Sequence, residues 1–143
     1  MTVILLPVKP AFANRLLNGT KKYEYRKRMP KQCVQQILIY STFPEMKVVG
    51  IAEVVDKLEA TPTNLWKRTK QHAGISQEKY REYFKGCRLA YAFKIGNVWP
   101  LETALKLTDL DINFAPQSFI YLEKDNPKQF ALVKQLIRSE KVY

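Results

Sequence analysis

Between Thr61 and Gly86 the spacing of apolar residues changes from the alternation of strands to the period of helices, and then changes back. Thr61 followed by Pro62 is a helix start, running through "NLWKRTKQH" to a stop at Gly74. Ser76 opens a second helix, "QEKYREYFK", which Gly86 ends. A helical hairpin at about 61–86 is therefore expected, inserted among strands. Before it, "TVILLPV" is an apolar run rich in β-branched residues and reads as a buried strand. "KYEYRKR" alternates, and "CVQQILIYS" and "KVVGIAEVVDKL" read as two more strands divided by a turn around Pro44. Gly50 inside the latter marks a bulge or a close backbone approach. After the hairpin, "RLAYAFKIGNV" and "QSFIYL" return to strand. Two further helices are expected. Pro10 opens "PAFANRLLNG", with Phe12, Leu16 and Leu17 at helical spacing and Gly19 as the stop. Asn126 and Pro127 start the other, which runs through about 138 with Phe130, Val133, Leu136 and Ile137 on one side. Many short strands and few helices, without regular βαβ alternation, define an α+β chain whose best fit is a small mixed or antiparallel barrel. One domain is expected over 1–143.

The charge narrows the choice of partner. The 143 residues hold 24 Lys and Arg against 13 Asp and Glu, a net charge of +11. Nine of the basic residues and only two of the acidic ones precede Gly50. Such a field concentrates polyanions, of which nucleic acid is the usual one, so RNA or nucleotide is the expected partner. No apolar run reaches the roughly 20 residues that span a bilayer, which argues against a membrane. The start lacks a basic leader and a small-residue cleavage site, so a cytoplasmic protein is expected. Cys33 and Cys87 are too few for a disulfide framework and are expected as two buried free thiols. No CxxC spacing or histidine partner points to a metal, and no cofactor is implied.

The densest polar stretch is "NGTKKYEYRK", residues 18–27. On a strand, Tyr23 and Tyr25 share one face, while Lys22, Glu24, Arg26 and Arg28 share the other. Neighbours on a face lie roughly 6.5–7 Å apart. Lys21 sits at the turn, where parity does not fix its direction. A single carboxylate among four cations makes a strongly positive cluster whose counterion orients Arg26 toward a phosphate or a base edge.

Gly19-x-Lys21-x-x-Glu24-x-Arg26 resembles the GxKxxExR signature of the ASCH domain family, a branch of the PUA-like barrels. "KPAFANRLLNG" before it, and "ILIYST", "VVGIAEV" and "PQSFIYL" after it, fit the same pattern, so the resemblance covers most of residues 1–122. It implies a small barrel with a cleft beside the first helix, lined by the signature residues, and RNA binding, which in some family members serves a regulatory role. One bacterial branch hydrolyses acetylated cytidine with a lysine and a threonine on this strand and a distant glutamate. That lysine matches Lys21 and the branch's arginine matches Arg26. Glu24 stands in the threonine's place, and the glutamate's place falls near Ser76 with Glu78 as the substitute, a departure that counts against amidohydrolase activity. Other relatives are described as ribonucleases.

Two functions are thus expected in competition. The first is a binding module, with Lys9, Lys21, Lys22, Arg26 and Arg28 on phosphate, Glu24 as counterion, Tyr25 or Tyr40 stacked on a base and Ser118 as a cleft hydroxyl. The second is a hydrolase of modified nucleoside or RNA, with Lys21 and Glu24 as its catalytic residues. There Lys21 serves best as a fixed cation for a developing oxyanion.

Overall fold

The computed structural model describes residues 2–122 and 126–141. In chain order the elements are β1 (Val3–Val8), α1 (Pro10–Leu17), β2 (Tyr23–Arg26), β3 (Gln36–Ser41), β4 (Lys47–Ala60), α2 (Pro62–Thr69), α3 (Gln77–Tyr83), β5 (Ala90–Leu105), β6 (Ile120–Tyr121) and α4 (Pro127–Glu140). Single 3-10 turns follow α2 at Lys70–His72 and β5 at Leu107–Leu110. The strands form one mixed sheet in the order β2-β5-β4-β3-β1-β6. β1 and β3 are parallel; the other pairings are antiparallel. This is the expected α+β architecture, in the form of a half-barrel.

β1 and β3 are buried at every position, which is why both read as unbroken apolar runs. Their alternate residues feed two separate cores. Val3, Leu5, Leu38 and Tyr40 meet Val133 and Ile137 of α4. Ile4, Leu6, Ile37 and Ile39 meet Ala13 and Leu16 of α1. A third core seats the helical hairpin against β2, β4 and β5 through Tyr25, Leu58, Leu65, Tyr80, Phe84 and Ala92. Fully burying a ring such as Phe84 contributes about 1.5–3 kcal/mol.

The local signals place the helices well. Thr61 and Ser76 accept the N–H groups of Asn64 and Lys79 at 3.3 and 3.2 Å, as N-caps should. Gly19, Gly74 and Gly86 all have positive φ where the helical segments end. Gly50 lies at a register shift between β4 and β5, as expected. A Cβ there would stand 2.4 Å from Leu17 Cδ2, so its absence lets α1 settle onto the sheet.

Three boundaries differ from the sequence reading. β2 stops at Arg26, short of Arg28, because its partner β5 begins at Ala90 and the last pair is Arg26 with Tyr91. β5 continues past Val98 through Pro100 to Leu105; Pro100 sits opposite Gly50, where the ladder is already irregular. β6 shrinks to two residues. Cys33 is exposed and Cys87 half-buried, so the expectation of two buried thiols is corrected, although both are free. No helix among the described residues is long and apolar enough to cross a membrane.

Candidate functional site

Gly19 ends α1 with φ of 83° and reverses the chain, after which the Lys21 amide donates to the Arg15 carbonyl at 3.0 Å. That bond turns the Lys21 side chain inward against Gly74, in the link between α2 and α3. A Cβ on Gly74 would stand 2.3 Å from Lys21 Cβ, and the residue has φ of 66°, so both space and backbone demand glycine. The close approach brings the Ala73 carbonyl to Lys21 Nζ at 2.7 Å. The Arg15 guanidinium fastens the same link by donating to the Gly74 carbonyl at 2.8 Å.

Lys21 is 2% exposed and its ammonium lies over two rings, 5.2 Å from the centre of Phe12 and 4.8 Å from that of Tyr25. Burial brings its pKa down to about 8; the Glu24 carboxylate opposes that fall, and Arg15 and Arg26 add to it. The Tyr25 hydroxyl turns away and meets Thr69 Oγ1 at 2.6 Å. Thr69 donates its own proton to the Leu65 carbonyl, so Tyr25 is the donor of that pair. Burial pushes the Tyr25 phenol well above its ordinary range.

Glu24, 6% exposed, accepts from Arg26 Nε at 3.1 Å and from Nη2 at 2.8 Å, both on Oε2. Arg26 Nη2 also donates to the Pro7 carbonyl. β2 opens the sheet order and β1 lies fifth in it, so this one side chain spans the open side of the half-barrel. Glu24 Oε1, Arg26 Nη1 and two protons of Lys21 remain without protein partners among the described residues. These groups border a cleft of about 330 Å³, within the size range of small-ligand pockets. Phe12, Tyr25, Ile75 and Tyr83 supply its apolar walls, and Lys9, Thr42 and Gln117 its polar rim. The arrangement offers donors for an anion, one open carboxylate oxygen and rings for a flat group.

Of the residues anticipated from sequence, Lys9, Lys21, Glu24, Tyr25 and Arg26 come together here. Lys22 does not: its side chain is exposed, and its backbone N–H donates to the His72 carbonyl at 2.8 Å. Arg28 and Ser118 are both exposed and border a separate depression with Lys31 and Phe119. Tyr40 is 2% exposed in the core beneath α4, because β3 is covered on both faces, and it has no surface on which to stack a base. Glu78 is exposed outside the cleft, and Ser76 is occupied as the cap of α3. Sequence reasoning missed Phe12, Thr42, Ile75, Tyr83 and Gln117 as cleft residues. Phe12 carried a usable signal, since it lies on the helix just before the signature.

The description of the ASCH domain matches residues 6–100, a span holding every cleft residue named above except Gln117. This chain belongs to the ASCH domain family. An ASCH domain-containing ribonuclease of Zymomonas mobilis is 32% identical over 124 residues, which make up 84% of each chain. The ASCH fold is also seen in the crystal structure of a Tyr-to-Phe variant of the ZmASCH protein from Zymomonas mobilis. It superposes with a TM-score of 0.85 at 28% identity, covering 95% of this ASCH chain and 99% of that one. A segment of ATP synthase subunit alpha of Ureaplasma parvum is 29% identical over 122 residues, 84% of this ASCH chain and 15% of that protein.

Proposed function

We propose that this ASCH domain binds RNA or a nucleotide in the cleft between α1 and β2. The observation that carries the reading is the pairing of buried Lys21 with half-buried Arg26, both with donors left open beside aromatic walls. Phosphate meets Lys21 Nζ and Arg26 Nη1, and Lys9 adds charge at the rim. Glu24 keeps Arg26 in register, and Oε1 is placed to accept an N–H from a base edge. Phe12 and Tyr83 offer faces for stacking, worth about 1–3 kcal/mol per base. The excess of basic residues before Gly50 steers the polyanion toward this end of the molecule. Binding of a fluorescent single-stranded RNA is the test. Lys21→Ala and Arg26→Ala are each expected to weaken it and to reduce the log–log salt slope by about 0.7 per lost phosphate contact. Unchanged affinity in both variants, or a flat salt response in the parent, defeats the reading.

A second reading, cleavage of the bound RNA, is supported by the burial that lowers the Lys21 pKa and by the name of the Zymomonas relative. Glu24 Oε1 would take the proton of a ribose 2′-hydroxyl, whose oxygen bonds to phosphorus as the P–O5′ bond breaks, while Lys21 faces the charge developing on phosphate and gives the departing 5′-oxygen a proton. Labelled RNA that is cut by the parent and left intact by Lys21→Ala supports catalysis; intact RNA with both proteins leaves binding alone. The amidohydrolase alternative lacks its threonine, and release of cytidine from acetylated cytidine is the reaction that would restore it.

A further inference from the structure

A second groove, of about 540 Å³, lies between α2 and α3 and, among the described residues, shares no lining residue with the cleft. Its floor is apolar and solid: Tyr80 and Phe84 are each 2% exposed, with ring centres 4.9 Å apart. Trp66 leans on Tyr80 at 4.7 Å and is half-buried, so its ring is held in place with part of its surface open. The charged residues lining the groove are Lys67, Lys70 and Arg81, all exposed and all cationic. None of the three has an ion-pair partner among the described residues, although Glu78 lies one helical turn before Arg81. Like charges gathered on facing helical surfaces repel.

The groove and the cleft are the two sides of one aromatic wall. Tyr25 lines the cleft, and its ring meets those of Tyr80 and Phe84 at 4.9 and 6.2 Å. Tyr83, the last residue of α3, lines the cleft, while Phe84, which caps that helix, lines the groove. A path between the two therefore crosses one helix, about 10–12 Å wide. Held aromatic surface beside unpaired cations is the pattern that binds single strands, in which bases stack and phosphates meet Lys and Arg.

We infer that the α2–α3 groove holds a second segment of the same RNA strand, with one base stacked on Trp66 and phosphates on Lys67, Lys70 and Arg81. The inference rests on the cleft binding RNA as proposed above. It extends the footprint from one or two nucleotides to several, within the about 4–16 that a single OB-fold barrel occupies.

The test compares uridine 5′-monophosphate, which reaches the cleft alone, with an eight-residue oligouridylate. Lys70→Ala/Arg81→Ala alters only exposed side chains and is expected to fold normally. It should weaken octamer binding at least about fivefold and reduce its salt slope by about 1.4, with monophosphate binding unchanged. Trp66→Leu should weaken the octamer about fivefold or more and abolish the octamer-induced quenching of tryptophan emission. Octamer binding unchanged in both variants, while Lys21→Ala removes it, overturns the groove and leaves the cleft standing. Equal loss of octamer and monophosphate overturns it too, as a general effect on the fold. A parent that binds neither ligand overturns both sites.

Discussion

The cleft at Lys21 and the depression at Arg28 draw on one basic stretch of chain, yet only the first gathers buried, partnered charge. Volume does not separate them, since the depression, at about 480 Å³, is the larger. Aromatic character does not either, because Phe119 and Tyr121 line the depression. The difference lies in what covers the charges. Lys21 is buried against Phe12 of α1 and the α2–α3 link, Glu24 is buried beside Arg26, and each has a protein partner. Arg28 and Lys31 lie in solvent. Desolvated charge interacts strongly with a guest, whereas exposed charge is screened by water and salt. Density of basic residues locates a region; burial by distant segments shapes the cleft.

The most severe way to break that distinction is to lift the cover. Gly74→Ala drives a methyl into Lys21 and keeps a strained backbone, and is expected to cost on the order of 3 kcal/mol. A thermal melt should fall by on the order of 10 °C. Gly86→Ala, at φ of 81° with nothing within 4 Å, should lose only about 1–2 kcal/mol. Equal losses at the two glycines would show that the Lys21 contact contributes nothing.

A comparable effect belongs to pH. With its pKa at about 8 in the fold and 10.5 as the ordinary value, Lys21 binds fewer protons folded than unfolded between those limits. Stability contributed by this group therefore rises from about pH 8 to 10.5, by about 3 kcal/mol, and is lost over that same window as pH falls from 10.5 to 8. Denaturant melts across that window should show the rise in the parent and not in Lys21→Met. Lys22→Met, one residue on, should leave the profile as it was. RNA affinity should decline above about pH 8 as the ammonium loses its proton.

Next in size is the arginine pair. Arg26→Ala strands the Glu24 carboxylate in a buried position and is expected to cost about 2–3 kcal/mol, with RNA binding down about tenfold. Tyr25→Phe removes one hydrogen bond to Thr69 and should cost about 1 kcal/mol in a chemical melt. Arg28→Ala should stay within about 0.5 kcal/mol and alter binding less than twofold. A larger effect at Arg28 than at Arg26 would reverse the ranking of the two regions.

How much of this was readable in the chain depends on how local each signal is. Thr61, Ser76 and the glycines at 19, 74 and 86 announce helix boundaries through contacts within a few residues, and the structure places them so. The GxKxxExR spacing located the floor of the cleft for the same reason. The partner of Lys21 was not readable, because the Ala73 carbonyl stands 52 residues away and is brought in by packing. Tyr40 misled because alternation separates faces but does not tell which are wet; β3 has core on both. Arg28 lies outside because strand pairing ends at Arg26 and the chain leaves the cleft beyond it, and Ser118 borders the same depression as Arg28.

The guanidinium that reaches from Glu24 to the Pro7 carbonyl is also the clasp across the barrel's seam. Under the proposed binding, ligand preference and the span across the open side of the half-barrel are therefore fastened by the same side chain. A replacement there cannot retune one without loosening the other, and lysine, with a point charge instead of a fork, would keep the sign of the charge while giving up the span.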